Sequence, residues 1–374
     1  MLGTHRIYVD EWAEVYDLLR DCADQSFWQW PKTLDPEAIY IVGRVLLKEN
    51  WQAITEWATA HPGHIVFSNP AEGSETILLQ LRRLRITDYV KDQRIGLLTS
   101  GDLEAGWNYC RTDCYFSNIV EYEENKAAQL QLARDTKPLS RPYQYVMLNG
   151  RLRPHRKALI DELRQRRLLD HALWTNLNST VEMGFTSALN VAPTEPIRLL
   201  PPEYEIERAQ PNLATVADRG FVKHALFGNT WGDAVINYRV YRDSWFSLVT
   251  ETIFDYAHTF RTEKIWKPIV MAHPFVVAAN SGYLRDLRRA GFRTFGHIID
   301  EHYDSIDRPD QRIQRVADCV QWLCTGDRAA EFWAESREIC EHNQQLLAEY
   351  NRRERTALPE SLRVYLDGLL SRSI

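Results

Sequence analysis

Short apolar runs alternate with amphipathic stretches along the first half of the chain. Ala38-Ile39-Tyr40-Ile41-Val42 is a continuous apolar run of strand length, and a helical pattern from Asn50 to Ala60 follows, ended by His61-Pro62-Gly63. His64 to Ser68 predicts a second strand, Thr76 to Leu84 a helix, and Arg94 to Thr99 a third strand. Strands alternating with helices predict a parallel sheet with helices on its faces.

Glu121 to Pro142 is polar and charged, carries Pro138 and Pro142, and predicts a connecting helix and linker. A second alternating series follows: strand Tyr143–Leu148, helix Pro154–Arg167 and short strand His171–Trp174. The prolines at 193, 196, 201, 202 and 211 mark Thr175–Asp243 as loop-rich. Regularity returns with strand Ser244–Thr250, helix Lys264–Met271, strand Pro274–Ala278 and helix Tyr283–Ala290, which Gly291 stops. Ile313, Val316, Val320 and Leu323 recur on one helical face, and a further helix runs through Leu346, Leu347 and Tyr350. The expected class is α/β: a Rossmann-like domain over 1–140, a second over 141–310, a cleft between them, and a helical tail over 311–374.

A chain of 374 residues exceeds the size at which one core keeps growing, which agrees with two domains. A net charge of −6 gives no global field for a polyanion, so contact with nucleic acid would need a local basic patch. The six cysteines form no CxxC pair and the eleven histidines complete no zinc spacing, so the cysteines read as reduced thiols of a cytoplasmic protein. Acids throughout the first thirty residues argue against a signal peptide, and no apolar run reaches membrane-spanning length, so no membrane partner is expected.

Three stretches carry candidate chemistry. Asn149-Gly150-Arg151-Leu152-Arg153-Pro154-His155-Arg156-Lys157 leaves a strand and opens a helix, where backbone N–H groups favour a pyrophosphate. Its bases would add mobile positive charge there, or form a solvated helix start. In Phe260-Arg261-Thr262-Glu263-Lys264-Ile265-Trp266, a carboxylate suits two ribose hydroxyls and the lysine suits phosphate; the alternative is a Thr262 cap with an exposed Glu–Lys pair. Trp245 to Thr252 is a buried-looking strand ending in Glu251, either a site residue or a satisfied cap. Nucleotide P-loops, Gly-x-Ser-x-Gly, HExxH and Asp-x-Asp are absent. Asp300, Asp304, Asp307 and Asp310 read as surface charge rather than metal ligands, and His273 as a packed or capping histidine.

In this order, the three stretches resemble the donor-binding lobe of the α-1,3-fucosyltransferases, glycosyltransferase family ten, over roughly Tyr143 to Phe295. Phe246-Ser247-Leu248-Val249-Thr250-Glu251-Thr252 is similar to the family's Phe-x-Leu-Ala-Phe-Glu-Asn strand, and Phe260 to Trp266 to its Tyr-x-Thr-Glu-Lys-aromatic element. Phe260 replaces the family's tyrosine and Thr252 its asparagine. Pro274 through Gly291 to Asp304 also resembles uncharacterised phage-encoded proteins.

The resemblance implies a GT-B fold and an inverting, metal-independent glycosyltransferase with a nucleotide-sugar donor, GDP-linked in preference to UDP-linked. It implies that Arg156 and Lys264 neutralise the pyrophosphate, that Glu263 holds the ribose and that Phe260 lies beside the nucleotide. Asn149, Arg153 and Thr262 complete the expected donor site, and Glu251 matches a strand-end carboxylate with a catalytic role. An acceptor-side base is expected in the first lobe, with Asp102 and Glu104 best positioned after the strand ending at Thr99, and Glu72 and Glu75 second. A glycan or small glycoside is the expected acceptor. The rivals are a hydroxylated base in phage DNA, met by Arg82, Arg83, Arg85 and Lys91, and an inactive GT-B module used for binding.

Overall fold

Two separate sheets, each of parallel strands, carry the chain. The computed structural model describes residues 6–371 apart from 12, 14, 16–18, 20–22, 69–80, 83–85, 100–102, 104–105, 113–122, 136–139, 151, 177–197, 205–235 and 257–258. Contacts divide it into one unit of Met1–Ser117, His258–Arg261 and Glu349–Ile374, and a second of Asn118–Ala257 and Thr262–Ala348.

The first unit runs β1 (Arg6–Asp10), β2 (Gln25–Phe27), β3 (Ala38–Val42), α1 (Arg44–Ala60), β4 (Ile65–Ser68), α2 (Thr87–Lys91), β5 (Ile95–Thr99) and β6 (Tyr109–Arg111). Its six strands lie in the order β2-β1-β3-β4-β5-β6, every neighbouring pair parallel. Alternate residues of these strands serve two cores, which is why β3, β4 and β5 read as unbroken apolar runs. Ala38, Tyr40, Val42, Phe67 and Leu97 pack with Leu47, Ile54 and Ala58 of α1. Ile7, Val9, Ile39, Ile41, Val66 and Leu98 pack instead with Leu362, Leu366 and Leu369 of the C-terminal helix. Gly96 leaves room for that helix, since a Cβ there would lie 2.9 Å from the Tyr365 hydroxyl.

The second unit holds α3 (Glu123–Asp135), β7 (Tyr143–Asn149), α4 (Pro154–Gln165), β8 (Ala172–Asn176), α5 (Tyr238–Arg242), β9 (Ser244–Thr250), α6 (Glu263–Val270), β10 (Phe275–Ala278), α7 (Tyr283–Arg289), α8 (Pro309–Leu323) and α9 (Arg328–Glu335). The C-terminal helix α10 (Arg337–Ser371) belongs to it through Ala348. The strand order is β10-β9-β7-β8, all parallel. The first strand, β7, therefore has β8 on one side and β9 on the other, which makes the carboxyl ends of β7 and β9 a topological switch point.

The elements depart from the sequence reading in several places, among them the short helices Thr87–Lys91 and Tyr238–Arg242, which no pattern announced. β1, β2 and β6 are strands that the apolar pattern did not predict, because β1 offers only Ile7 and Val9 among polar residues and the other two are three residues long. α1 starts at Arg44 rather than Asn50, and Asn50 itself sits at a non-helical φ/ψ of −122/20 within it. Boundaries differ too: the second unit starts at Asn118, so the helix expected as a linker clusters with the second sheet, and the expected tail is shared between both units. Among the described residues, no helix is long and apolar enough to cross a membrane.

Candidate functional site

The carboxyl ends of β7 and β9 meet through side chains. The Asn149 side-chain oxygen accepts from the Thr250 hydroxyl, while the Thr175 hydroxyl at the end of β8 accepts from the Asn149 N–H at 3.0 Å and donates to its carbonyl at 3.2 Å. Asn149 is fully buried, and its Nδ2 has no hydrogen-bond partner among the described residues. A buried amide with one end fixed and the other end unused is costly unless something accepts from it.

Glu251, the next residue along from β9, is also fully buried and gathers the surrounding elements. Its Oε1 accepts from the Thr262 N–H at 3.1 Å and the Tyr283 hydroxyl at 2.7 Å. Its Oε2 accepts from the Thr262 hydroxyl at 2.6 Å and the Thr252 N–H at 3.0 Å. One carboxylate thus fixes the turn after β9, the N-cap of α6 and the first residue of α7. Four donors account for its acceptor sites.

Thr262 caps α6 through the Lys264 N–H, as sequence predicts for one of the two readings of this stretch. The Glu–Lys pair is not exposed, however: Glu263 is 4% exposed. Burial raises its carboxyl, but Lys264 and Lys267 oppose this more strongly and hold it below the usual carboxylate range. Lys264 Nζ reaches Glu263 Oε1 and lies 3.3 Å from the hydroxyls of both Thr252 and Thr262.

The basic stretch at the start of α4 corrects the expectation of mobile charge. Arg156 is 2% exposed and its Nη2 donates to the carbonyls of Thr250 at 2.9 Å and Glu251 at 3.1 Å; Arg153 is 7% exposed. Lys157 is paired with Asp161 at 2.7 Å, and Arg151 lies outside the described residues. Burial of Arg156 is sustained because the carbonyls at the end of β9 take up its guanidinium. Arg156 and Lys264 nonetheless converge on one turn, Thr250–Thr252.

Sequence reasoning missed four residues here. His155 shares the Glu251 carbonyl at 2.9 Å and stacks on Phe254 with centroids 5.0 Å apart. Burial, with Arg156, Arg153 and Arg312 nearby, pushes its pKa well down, so the ring is neutral. Arg312 lies over the same Phe254 ring, 4.4 Å from its centroid, and donates to the Ala279 carbonyl at 2.9 Å. Tyr283 reaches Glu251 across 32 residues of sequence, which no local pattern reveals. Asp304 is buried rather than surface charge, because its two oxygens cap α7 through the N–H groups of Leu284 at 2.8 Å and Arg285 at 3.0 Å. Asp300, Asp307 and Asp310 are exposed.

The remaining expected residues lie elsewhere. Phe260 is buried and clusters with the first unit. Asp102, Glu104, Glu72, Glu75, Arg83 and Arg85 lie outside the described residues. Arg82 is exposed, and Lys91 sits over the Trp107 ring, 5.4 Å from its centroid. His273 is packed, as read from sequence: its rings nitrogens meet the Ser247 hydroxyl and the Ser244 carbonyl, both at 2.9 Å. In the first unit, the buried Asp10 ends β1 and accepts the Gly43 N–H at 2.9 Å, capping α1. Among the described residues, no group of three or more His, Cys, Asp or Glu side chains is arranged to hold a metal ion.

No protein-family model, curated protein or solved structure matches the chain.

Proposed function

We propose that the switch point at the ends of β7 and β9 binds a nucleoside-diphosphate sugar, and that the chain is an inverting glycosyltransferase of GT-B type. The observation that carries this reading is the buried Asn149 Nδ2, a donor without an acceptor among the described residues, at the switch point of a parallel sheet. Beside the same strand ends stand the helix start of α4, the Lys264 ammonium and the Glu263 carboxylate, which suit a phosphate and a ribose. The family-ten resemblance favours a GDP-linked donor and a glycan or small glycoside acceptor without a required metal, and the reading of the cysteines as reduced thiols favours a cytoplasmic enzyme.

In this reading Lys264 holds the diphosphate, and Arg156 and Glu251 shape the turn that presents it. The acceptor hydroxyl attacks the anomeric carbon, the bond to the diphosphate breaks with inversion, and a carboxylate takes the proton. Asp102 and Glu104 are nominated for that base by their place after β5. The leaving nucleoside diphosphate is stabilised electrostatically.

Thermal-shift titration with GDP-fucose, GDP-mannose, UDP-glucose, ADP-glucose and CMP-sialic acid tests the donor site. A GDP-linked sugar at 100 times its Kd should stabilise the fold by about 2.7 kcal/mol. Absence of a shift with every donor would remove this reading. Product assays on glycans and on hydroxymethylated DNA then identify the acceptor, with steep loss at added salt marking DNA.

A further inference from the structure

A second cavity, of about 230 Å³, is built wholly from the first unit and is lined by Tyr8, Gln25, Phe27, Leu34, Asp35 and Tyr40, among others. Tyr8 is in register with Gln25 of β2 and Tyr40 of β3, so these three side chains form one row on one face of the sheet. Trp57 of α1 packs edge-on against Tyr40, with centroids 6.4 Å apart, and Pro31, Thr33, Leu34 and Asp35 complete the lining. Three of the lining residues are aromatic: Tyr8 meets Tyr40 edge-on at 5.3 Å and Phe27 lies 6.0 Å from Tyr40, with Trp30 packed behind them 5.8 Å from Tyr40.

Its polar groups are few and held in place. Asp35 accepts from the Tyr8 hydroxyl at 3.3 Å, the Glu37 N–H at 2.9 Å and Arg6 at 3.0 Å. The Tyr40 hydroxyl accepts the Asp35 N–H at 2.7 Å, so its own proton is left to donate. Tyr40 is 1% exposed, and Gln25 stands exposed at the mouth.

These groups select a ligand class. Arg6 is shared between Asp35 and Glu37, so the cluster keeps one negative charge in excess and disfavours an anion, while the Arg6 guanidinium beside Asp35 weakens its hold on a cation. The volume is below the ~300–1,000 Å³ typical of drug-sized ligands, which limits the occupant to about one ring. Apolar ring edges beside a carboxylate oxygen, a hydroxyl proton and an amide fit a solute with a C–H face and a hydroxyl rim. We propose that this cavity binds a single neutral pyranose, as an accessory saccharide site independent of the transfer reaction.

The test uses the full chain, with tryptophan fluorescence and saturation-transfer NMR during titration with glucose, galactose, mannose, fucose and N-acetylglucosamine. At least one should bind saturably with a Kd on the order of 1 mM. Asp35→Asn and Gln25→Ala should each weaken it about tenfold, the worth of one hydrogen bond. Gln25 is exposed, so that variant should keep the wild-type melting temperature even if Asp35→Asn does not. Saturable binding that both variants weaken supports the site, whatever becomes of the donor site. No saturation by any neutral sugar up to about 100 mM, far past a Kd of that order, overturns it. So does binding that neither variant alters, or a preference for adenosine over every sugar.

Discussion

The Asn149 side chain, at the end of β7, and the Thr250 hydroxyl, at the end of β9, are hydrogen-bonded across 101 residues of sequence. This bond settles which end of the Asn149 amide faces inward: the oxygen is occupied by Thr250, so the NH2 group is the end presented elsewhere. Under the proposed function, that donor would suit an acceptor-rich ligand such as a diphosphate.

Two substitutions separate the structural part of Asn149 from the binding part. Asn149→Asp keeps an acceptor for Thr250 but replaces the donor with a negative oxygen. It should retain most of the fold and lose the thermal shift with GDP-linked sugars. Asn149→Ala should lose both, with a stability cost of about 1–3 kcal/mol for the orphaned Thr250 hydroxyl. Urea denaturation with and without donor measures the two effects.

Glu251 and Tyr283 should behave as a coupled pair. Tyr283→Phe removes one of four donors and should cost about 1–2 kcal/mol. Glu251→Gln places an amide NH2 against two other donors and should cost more. The double variant should be less destabilised than the sum of the singles, because they share one hydrogen bond. Strict additivity in denaturation would show that the bond contributes nothing.

Lys264 sits within a buried charge cluster, so removing it leaves Glu263 with Lys267 as its remaining cation of the pair that holds it down. Lys264→Met should destabilise by about 3 kcal/mol, the lower end of what breaking a buried pair costs. Glu263→Gln in the same chain should recover most of that loss. Donor binding should remain absent in the double variant. Calorimetry reports the stability, and titration with GDP the binding.

Acid should weaken the second unit through His273. An unfolded histidine titrates near about 6.5. Burial away from water, the largest influence, lowers His273 to about 3. Above pH ~6.5 both states are neutral and the contribution is complete; as pH falls toward 3, the unfolded chain takes up a proton that the folded chain refuses. The expected loss is roughly 1.4 kcal/mol per pH unit in that window. His155 is shifted in the same direction. His273→Gln should flatten the slope of stability against pH by about one proton, as read from denaturation between pH 4 and 7.

Legibility followed the range of the interactions. The strands β3, β4, β5 and β10 were readable because burial on both faces writes a nearly continuous apolar run. Thr262 as a helix cap was readable for the same local reason. The burial of Arg156 was not: helix-start bases look the same in sequence whether they face solvent or strand-end carbonyls. Asp304 and Asp10 were obscured likewise, since each caps a helix that begins 20 or more residues away along the chain, with partners 20 and 33 residues distant. Strand order was also hidden, because both sheets place a later strand beside their first.

The apolar stripe Leu362, Leu366 and Leu369 covers a face of the sheet to which β1 contributes Ile7 and Val9. Tyr365 on the same helix accepts the Leu97 N–H at 3.1 Å and donates to the Asn108 carbonyl at 3.0 Å. On the ribosome, then, strands β1, β3, β4 and β5 are made well before the segment that covers them, and one greasy surface waits until translation has passed Leu369. A stop codon ahead of that helix would therefore damage a sheet whose own codons are intact.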